Sequence, residues 1–233
     1  MGSKNKLKRF HENETFSNVI QPKREEILQG FSLISKWHTF FKNNNPIVLE
    51  LGCGKGEYTI ALAKKNPDKN YIGIDIKGAR FWRGAKTALE ENLPNVAFIR
   101  TQIELVDLLF AKNEVDEIWI TFPDPQIKYT RTKHRLTNQV FLKKYHSILK
   151  PNGITSIVYA HKTTEAWESL IYSLLNSGLI VTAAWPINTE MKMRLRSHDS
   201  ATLASSIYMV CRKWKKEPHE SYDNVKKQMQ EYL

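Results

Sequence analysis

Three glycines at alternate positions, Gly52, Gly54 and Gly56, sit in Glu50-Leu51-Gly52-Cys53-Gly54-Lys55-Gly56, between an apolar run and a segment of helical period. A strand-to-helix turn made of glycine brings backbone close to a ligand where side chains would block the approach. Two ligand classes suit such a turn: a dinucleotide whose pyrophosphate rests on the helix N-terminus, and an adenosyl amino acid that carries no phosphate. Dinucleotide loops read Gly-x-Gly-x-x-Gly, whereas here the third glycine comes one residue early and Glu50 precedes the first. A carboxylate at that place would repel pyrophosphate and could pair with an ammonium. The spacing therefore disfavours a dehydrogenase, and a plain structural turn is the bland alternative.

Further chemistry-bearing residues fall at the ends of later apolar runs. Asp75 closes Ile72-Gly73-Ile74-Asp75, where a carboxylate can accept from both hydroxyls of a ribose; a turn or cap role is the competing reading. Gln102 follows the next run and could read an adenine edge through its amide, although an exposed glutamine usually does nothing specific. Asp124 lies in Phe122-Pro123-Asp124-Pro125, and proline on both sides stiffens the backbone that carries it. As ligands of open α/β sheets bind outside the carboxyl ends of the strands, Asp124 is expected to face the same ligand; turn formation is its alternative role. No acidic residue occurs from Gln126 to Lys150, while Lys128, Arg131, Lys133 and Arg135 are interleaved with Tyr129 and His134. That pattern suits phosphate gripping and base stacking, whereas Lys143 to Lys150 also reads as the solvated face of a helix.

The elements that must position these residues alternate. Short apolar runs at Ile47 to Leu51, Tyr71 to Ile76, Val96 to Ile99, Glu117 to Phe122 and Ile154 to Ala160 are separated by helical periods over Glu57 to Lys65, Ala79 to Asn92 and Asn138 to Lys150. This is the pattern of a parallel sheet with crossover helices. A further helix, Thr164 to Asn176, and two last runs, Leu179 to Trp185 and Ser205 to Arg212, complete the set. The fold class read from it is α/β, Rossmann-like, with a mostly parallel seven-stranded sheet, and its ending resembles the hairpin with an antiparallel final strand that closes many sheets of this kind.

With 233 residues, 41% hydrophobic and 25% charged, the chain has the size and balance of one soluble domain. The expected organisation is a basic arm over residues 1–24, a catalytic domain over 25–214 and a polar tail over 215–233. No apolar stretch approaches the roughly 20 residues a membrane span needs, and no signal segment is evident, so a cytoplasmic location is expected. Cys53 and Cys211 have neither metal-ligand spacing nor a disulfide framework, and no metal is expected. The net charge of +11 points to a polyanionic partner through counterion release; a merely solubilising surface is the alternative.

These motifs carry a resemblance. The glycine loop, Gly73-Ile74-Asp75-Ile76-Lys77-Gly78-Ala79-Arg80, and above all Phe122-Pro123-Asp124-Pro125-Gln126-Ile127-Lys128 with Arg131-Thr132-Lys133-His134-Arg135 resemble the bacterial tRNA (guanine-N7-)-methyltransferase family, over about residues 1–153. The resemblance implies a class I methyltransferase fold that uses S-adenosyl-L-methionine. It implies Glu50, Gly52, Gly54, Gly56, Asp75, Gln102 and Asp124 around that cofactor, with Asp124 catalytic. It implies tRNA as substrate, held by Lys128, Arg131, Lys133 and Arg135, and we expect a monomer. Past Gly153 the Lys-Thr-Asp and Thr-x-x-Glu elements of that family do not align. Residues 160–212 are similar instead to the C-terminal part of adenine-specific DNA methylases, as in a composite joined near 153. Those enzymes need an Asp-Pro-Pro-Tyr type motif, whose aromatic ring stacks the flipped adenine, and this chain has Pro123-Asp124-Pro125-Gln126 there. An adenine-specific DNA methyltransferase and a non-catalytic RNA-binding protein that keeps the cofactor fold are the rival functions.

Overall fold

The structure, a computed structural model, describes residues 5–124, 126, 129–161, 163–187 and 206–214, and for 129–131 the backbone alone. Eight strands form a single sheet: β1 (Val19–Ile20), β2 (Ile47–Leu51), β3 (Asn70–Asp75), β4 (Val96–Arg100), β5 (Val115–Thr121), β6 (Leu149–Tyr159), β7 (Leu179–Ile187) and β8 (Ser206–Lys213). Their order is β1-β4-β3-β2-β5-β6-β8-β7. From β1 to β6 all pairings are parallel, and β8 runs antiparallel to both β6 and β7. β2 and β3 are buried at every position, as expected of parallel strands covered on both faces, which is why they read as continuous apolar runs.

The count is one more than the seven strands expected from sequence. The addition is β1, a two-residue strand beside β4, whose neighbour Asn18 accepts through its carbonyl from Phe98 N–H at 2.8 Å. Two residues are too few to show any period, so no sequence pattern could have revealed it. Just before it, helix α1 (Lys6–Thr15) packs on α5 (Gly78–Glu90). Asn13 Nδ2 donates to Gly78 O at 3.0 Å, and the Arg9 guanidinium lies 4.8 Å from the Trp82 ring centre.

Two apolar layers sandwich the sheet. On one face α2 (Arg24–Gly30), α3 (Trp37–Phe41), α6 (Gln139–Ile148) and α7 (Thr164–Leu175) bury Ile27, Trp37, Leu142 and Leu174 against the inward positions of the strands. On the other, α4 (Glu57–Lys65) and α5 bury Ile60, Phe81 and Ala85 against Val48, Tyr71 and Phe98. α6 starts where the Asn138 side chain accepts from Phe141 N–H at 3.0 Å, a cap that begins the helix. Among the described residues, no helix is long and apolar enough to cross a membrane.

Candidate functional site

The carboxyl ends of β2, β3, β4 and β5 meet at one edge of the sheet, and the turn after β2 is its centre. Gly52, Gly54 and Gly56 all have positive φ, at 76°, 58° and 76°, the left-handed region that costs other residues about 1–2 kcal/mol. The turn is hooked to β3 by Gly52 N–H and Cys53 N–H, which donate to Ile74 O at 2.8 and 3.2 Å. Asp75 ties it further. Its Oδ2 accepts from Gly54 N–H at 3.0 Å, while Oδ1 accepts from Lys77 N–H at 2.8 Å. One buried carboxylate thus holds the turn after β2 and the chain entering α5.

Glu50, on β2 and only 6% exposed, is the second buried acid. Its Oε2 accepts from Thr59 N–H at 2.9 Å and also from the Thr59 hydroxyl, and its Oε1 lies 3.4 Å from the Thr121 hydroxyl. Thr59 is the third residue of α4, whose N-cap Gly56 offers no side chain; Glu50 therefore caps that helix from a neighbouring strand and meets its positive end. Burial pushes the Glu50 carboxyl above the usual glutamate value, the Thr59 and Thr121 bonds draw it back in part, and the charge of Asp75 raises it again. Burial also drives the Cys53 thiol well up, with Glu50 and Asp75 adding to the shift, so Cys53 is a packing residue and no nucleophile.

The other expected residues are placed with less enclosure. Gln102 is exposed after β4, with Oε1 accepting from Arg24 Nη1 at 2.7 Å. Asp124 is exposed beyond β5, and its Oδ1 accepts from Gln126 N–H at 3.0 Å. The residues on either side of the motif, Phe122 and Gln126, have φ of 48° and 43°. Such strain costs on the order of 1–3 kcal/mol at each residue and persists where the surroundings force it, commonly at functional turns. Lys128 lies outside the described residues, and Arg131 is placed only as part of the 3-10 helix Tyr129–His134. Lys133 is exposed at the end of that helix, and Arg135 follows, with Nη2 3.5 Å from Gln126 O. Farther along, Lys144 and Lys150 pair with Asp107 and Asp116, each at 2.7 Å, so that part of the basic stretch fastens α6 and β6 to the body of the domain.

Sequence reasoning missed Thr59, Thr121, Arg24 and the packing beneath the turn. A Cβ on Gly56 would lie 2.6 Å from Phe98 Cε1 and Cζ, and one on Gly84 would lie 2.7 Å from Lys55 O. Gly84 sits inside the helical period of α5 and carried no local signal. By contrast, a Cβ on Gly54 would meet nothing within 4 Å, leaving open space beside the two acids. Among the described residues no group of histidine, cysteine and acidic side chains could hold a metal ion.

A mostly parallel sheet with this strand order, a glycine turn after its first central strand and acids at the ends of the first two are the features of the class I methyltransferase fold. Solved structures share the fold: a 16S rRNA (adenine(1408)-N(1))-methyltransferase of Catenulisporales acidiphilia, with cosubstrate SAM, matches over 79% of this chain and 93% of that one, with TM-score 0.58 and 16% identity. The [4+2]-cyclase SpnF also matches, with TM-score 0.56 over 73% of this chain and 76% of its own, so the fold by itself does not decide the reaction.

Sequence comparison narrows the class. Residues 44–178 match a family described as "Putative methyltransferase". A tRNA (guanine-N(7)-)-methyltransferase of Christiangramia forsetii is 74% identical over 156 residues, 66% of this chain and 70% of that protein. Its counterpart in Porphyromonas gingivalis is 56% identical over 144 residues, 60% of this chain and 58% of its own length. The chain belongs to the bacterial tRNA (guanine-N7)-methyltransferase family. The putative-methyltransferase model is matched to residue 178, through β6 and α7, whereas these two relatives align over 156 and 144 residues.

Proposed function

We propose that this chain transfers the methyl group of S-adenosylmethionine to N7 of a guanosine in the variable loop of tRNA. The 74% identity to the Christiangramia forsetii enzyme carries the reading, and the acids and basic turn on the same sheet edge support it. The residues at the turn fit the cofactor. The space at Gly54 admits a ligand against backbone, Glu50 suits an ammonium, and each Asp75 oxygen, having accepted one N–H, keeps a second lone pair for a ribose hydroxyl. Gln102 has its amide NH2 left for the adenine ring once its oxygen is taken by Arg24.

When bound, the cofactor supplies an electrophilic methyl on a sulfonium. Guanine N7 carries an unprotonated lone pair at neutral pH, so the chain needs no strong base and its task is alignment. In this reading Asp124 orients the base by accepting hydrogen bonds from its Watson-Crick edge, the strained turn between Phe122 and Gln126 keeps that carboxylate in place, and Lys128, Arg131, Lys133 and Arg135 hold phosphates. In this reading the catalytic domain takes in α1 and β1 as well as the expected span 25–214, and it acts as a cytoplasmic monomer without a metal.

Asp124→Ala tests the assignment. Mass spectrometry of nucleosides from treated tRNA should show N7-methylguanosine formed roughly 100-fold or more slowly, the loss typical of removing one positioned polar contact. Calorimetry should still register cofactor binding. Full transfer by this variant would end the proposed role of Asp124, and no product from the wild type with any tRNA would end the reading as a whole.

A further inference from the structure

A hollow of about 300 Å3 opens between the end of the basic 3-10 turn, the start of α6 and the outer face of α7. Lys133 and Arg135 line it from the turn, Thr137 from the helix entry, Tyr159 from the end of β6, and Ser169 and Ser173 from successive turns of α7. Among the described residues no acidic side chain contributes to its wall. Thr137 and Tyr159 are each only 8% exposed, yet among the described residues neither side chain makes a hydrogen bond. Both residues line the hollow beside the two cations, and their hydroxyls can donate to an acceptor from outside the chain. The N–H groups of Gln139 and Val140, which occupy the first two positions of α6 and line the hollow, likewise have no acceptor among the described residues. An anion there would also meet the positive end of the helix.

We infer that this hollow seats one backbone phosphate of the substrate RNA. The inference rests on the RNA-methyltransferase reading and deepens it: α6 and α7, neither of which carries a residue assigned to the reaction, would become part of the RNA site. A phosphate suits the wall because it is acceptor-only. Two cations compensate its charge, and the hydroxyls and helix N–H groups donate to its oxygens. A carboxylate introduced on α7 would place a like charge in the hollow at a position outside the reaction machinery.

The test is RNA binding, not methyl transfer. Affinity of an unmodified tRNA transcript is measured against salt concentration for the wild type, Ser173→Asp and Ser173→Asn, with Ser169→Asp as the second charge variant should Ser173→Asp fail to fold. Cofactor binding by calorimetry serves as the check on folding. The charge variants should bind at least about 10-fold more weakly, and the slope of log K against log salt should fall in magnitude by about 1, as for one lost phosphate contact; Ser173→Asn should stay near the wild type. Equal RNA affinity and slope in the charge variants would overturn the inference while leaving the methyltransferase reading intact. If inorganic phosphate binds the wild type and not Ser173→Asp while RNA binding is unchanged, the hollow serves a free phosphate compound, and the RNA assignment is overturned. A wild type that binds no RNA at all removes both.

Discussion

Two glycines of the same turn should respond differently to the same substitution. Gly54 and Gly56 both have positive φ, at 58° and 76°, so alanine at either place incurs the left-handed penalty of about 1–2 kcal/mol. At Gly54 the added methyl enters open space, whereas at Gly56 it would stand 2.6 Å from two atoms of the Phe98 ring. That ring cannot swing aside: it is fully buried, stacked on Phe81 with 5.5 Å between centres, and pressed against the positions where Gly73 and Gly84 would carry a Cβ. Overpacking of this kind adds roughly 1–3 kcal/mol. The gap between the two variants should be about 2 kcal/mol, or roughly 4–8 °C in melting temperature for a chain of this size. Urea unfolding followed by circular dichroism, without cofactor, would measure it. Equal midpoints for Gly54→Ala and Gly56→Ala would refute the idea that Phe98 sets the height of the turn.

Glu50→Gln should alter the pH dependence of stability. Burial raises the folded carboxyl above its ordinary 4.5, so the folded state holds that proton more tightly than the unfolded chain does, and the contribution is complete below 4.5 and lost as pH rises through the folded value. The stability of the wild type relative to Glu50→Gln should therefore shrink as pH rises from 4.5 towards neutrality, as urea titrations across that range would show; a margin that grows with pH would contradict the assigned direction. Trp37→Ala should destabilise by about 3–5 kcal/mol, because the indole is 1% exposed, stacks on Phe110 at 5.2 Å and donates to Leu109 O at 3.2 Å. A loss below 1 kcal/mol in the same unfolding assay would mean that α3 is not part of the cooperative core.

Legibility followed chain locality. β2 and α4 occupy the spans marked in the sequence, because an unbroken apolar run buried on both faces and a helical period are both written in neighbouring residues. The seven longer strands were visible for the same reason, the antiparallel closing was expected from the resemblance, and β1 was invisible because two residues carry no period. The glycine turn with its early third glycine was legible because positive φ is a local demand that only glycine meets cheaply.

What tertiary structure decided was which groups share those local features. The sequence by itself determined a glycine turn, acids at two strand ends and a stretch without acidic residues before α6. It could not show that Glu50 caps α4 through Thr59, nine residues away, that Arg24 takes the oxygen of Gln102 across 78 positions, or that Thr137 and Tyr159 line one hollow with α7. A hydrogen bond or a shared cavity depends on angstrom distances between side chains, and only the packing of helices on a twisted sheet sets those distances for residues far apart in the chain.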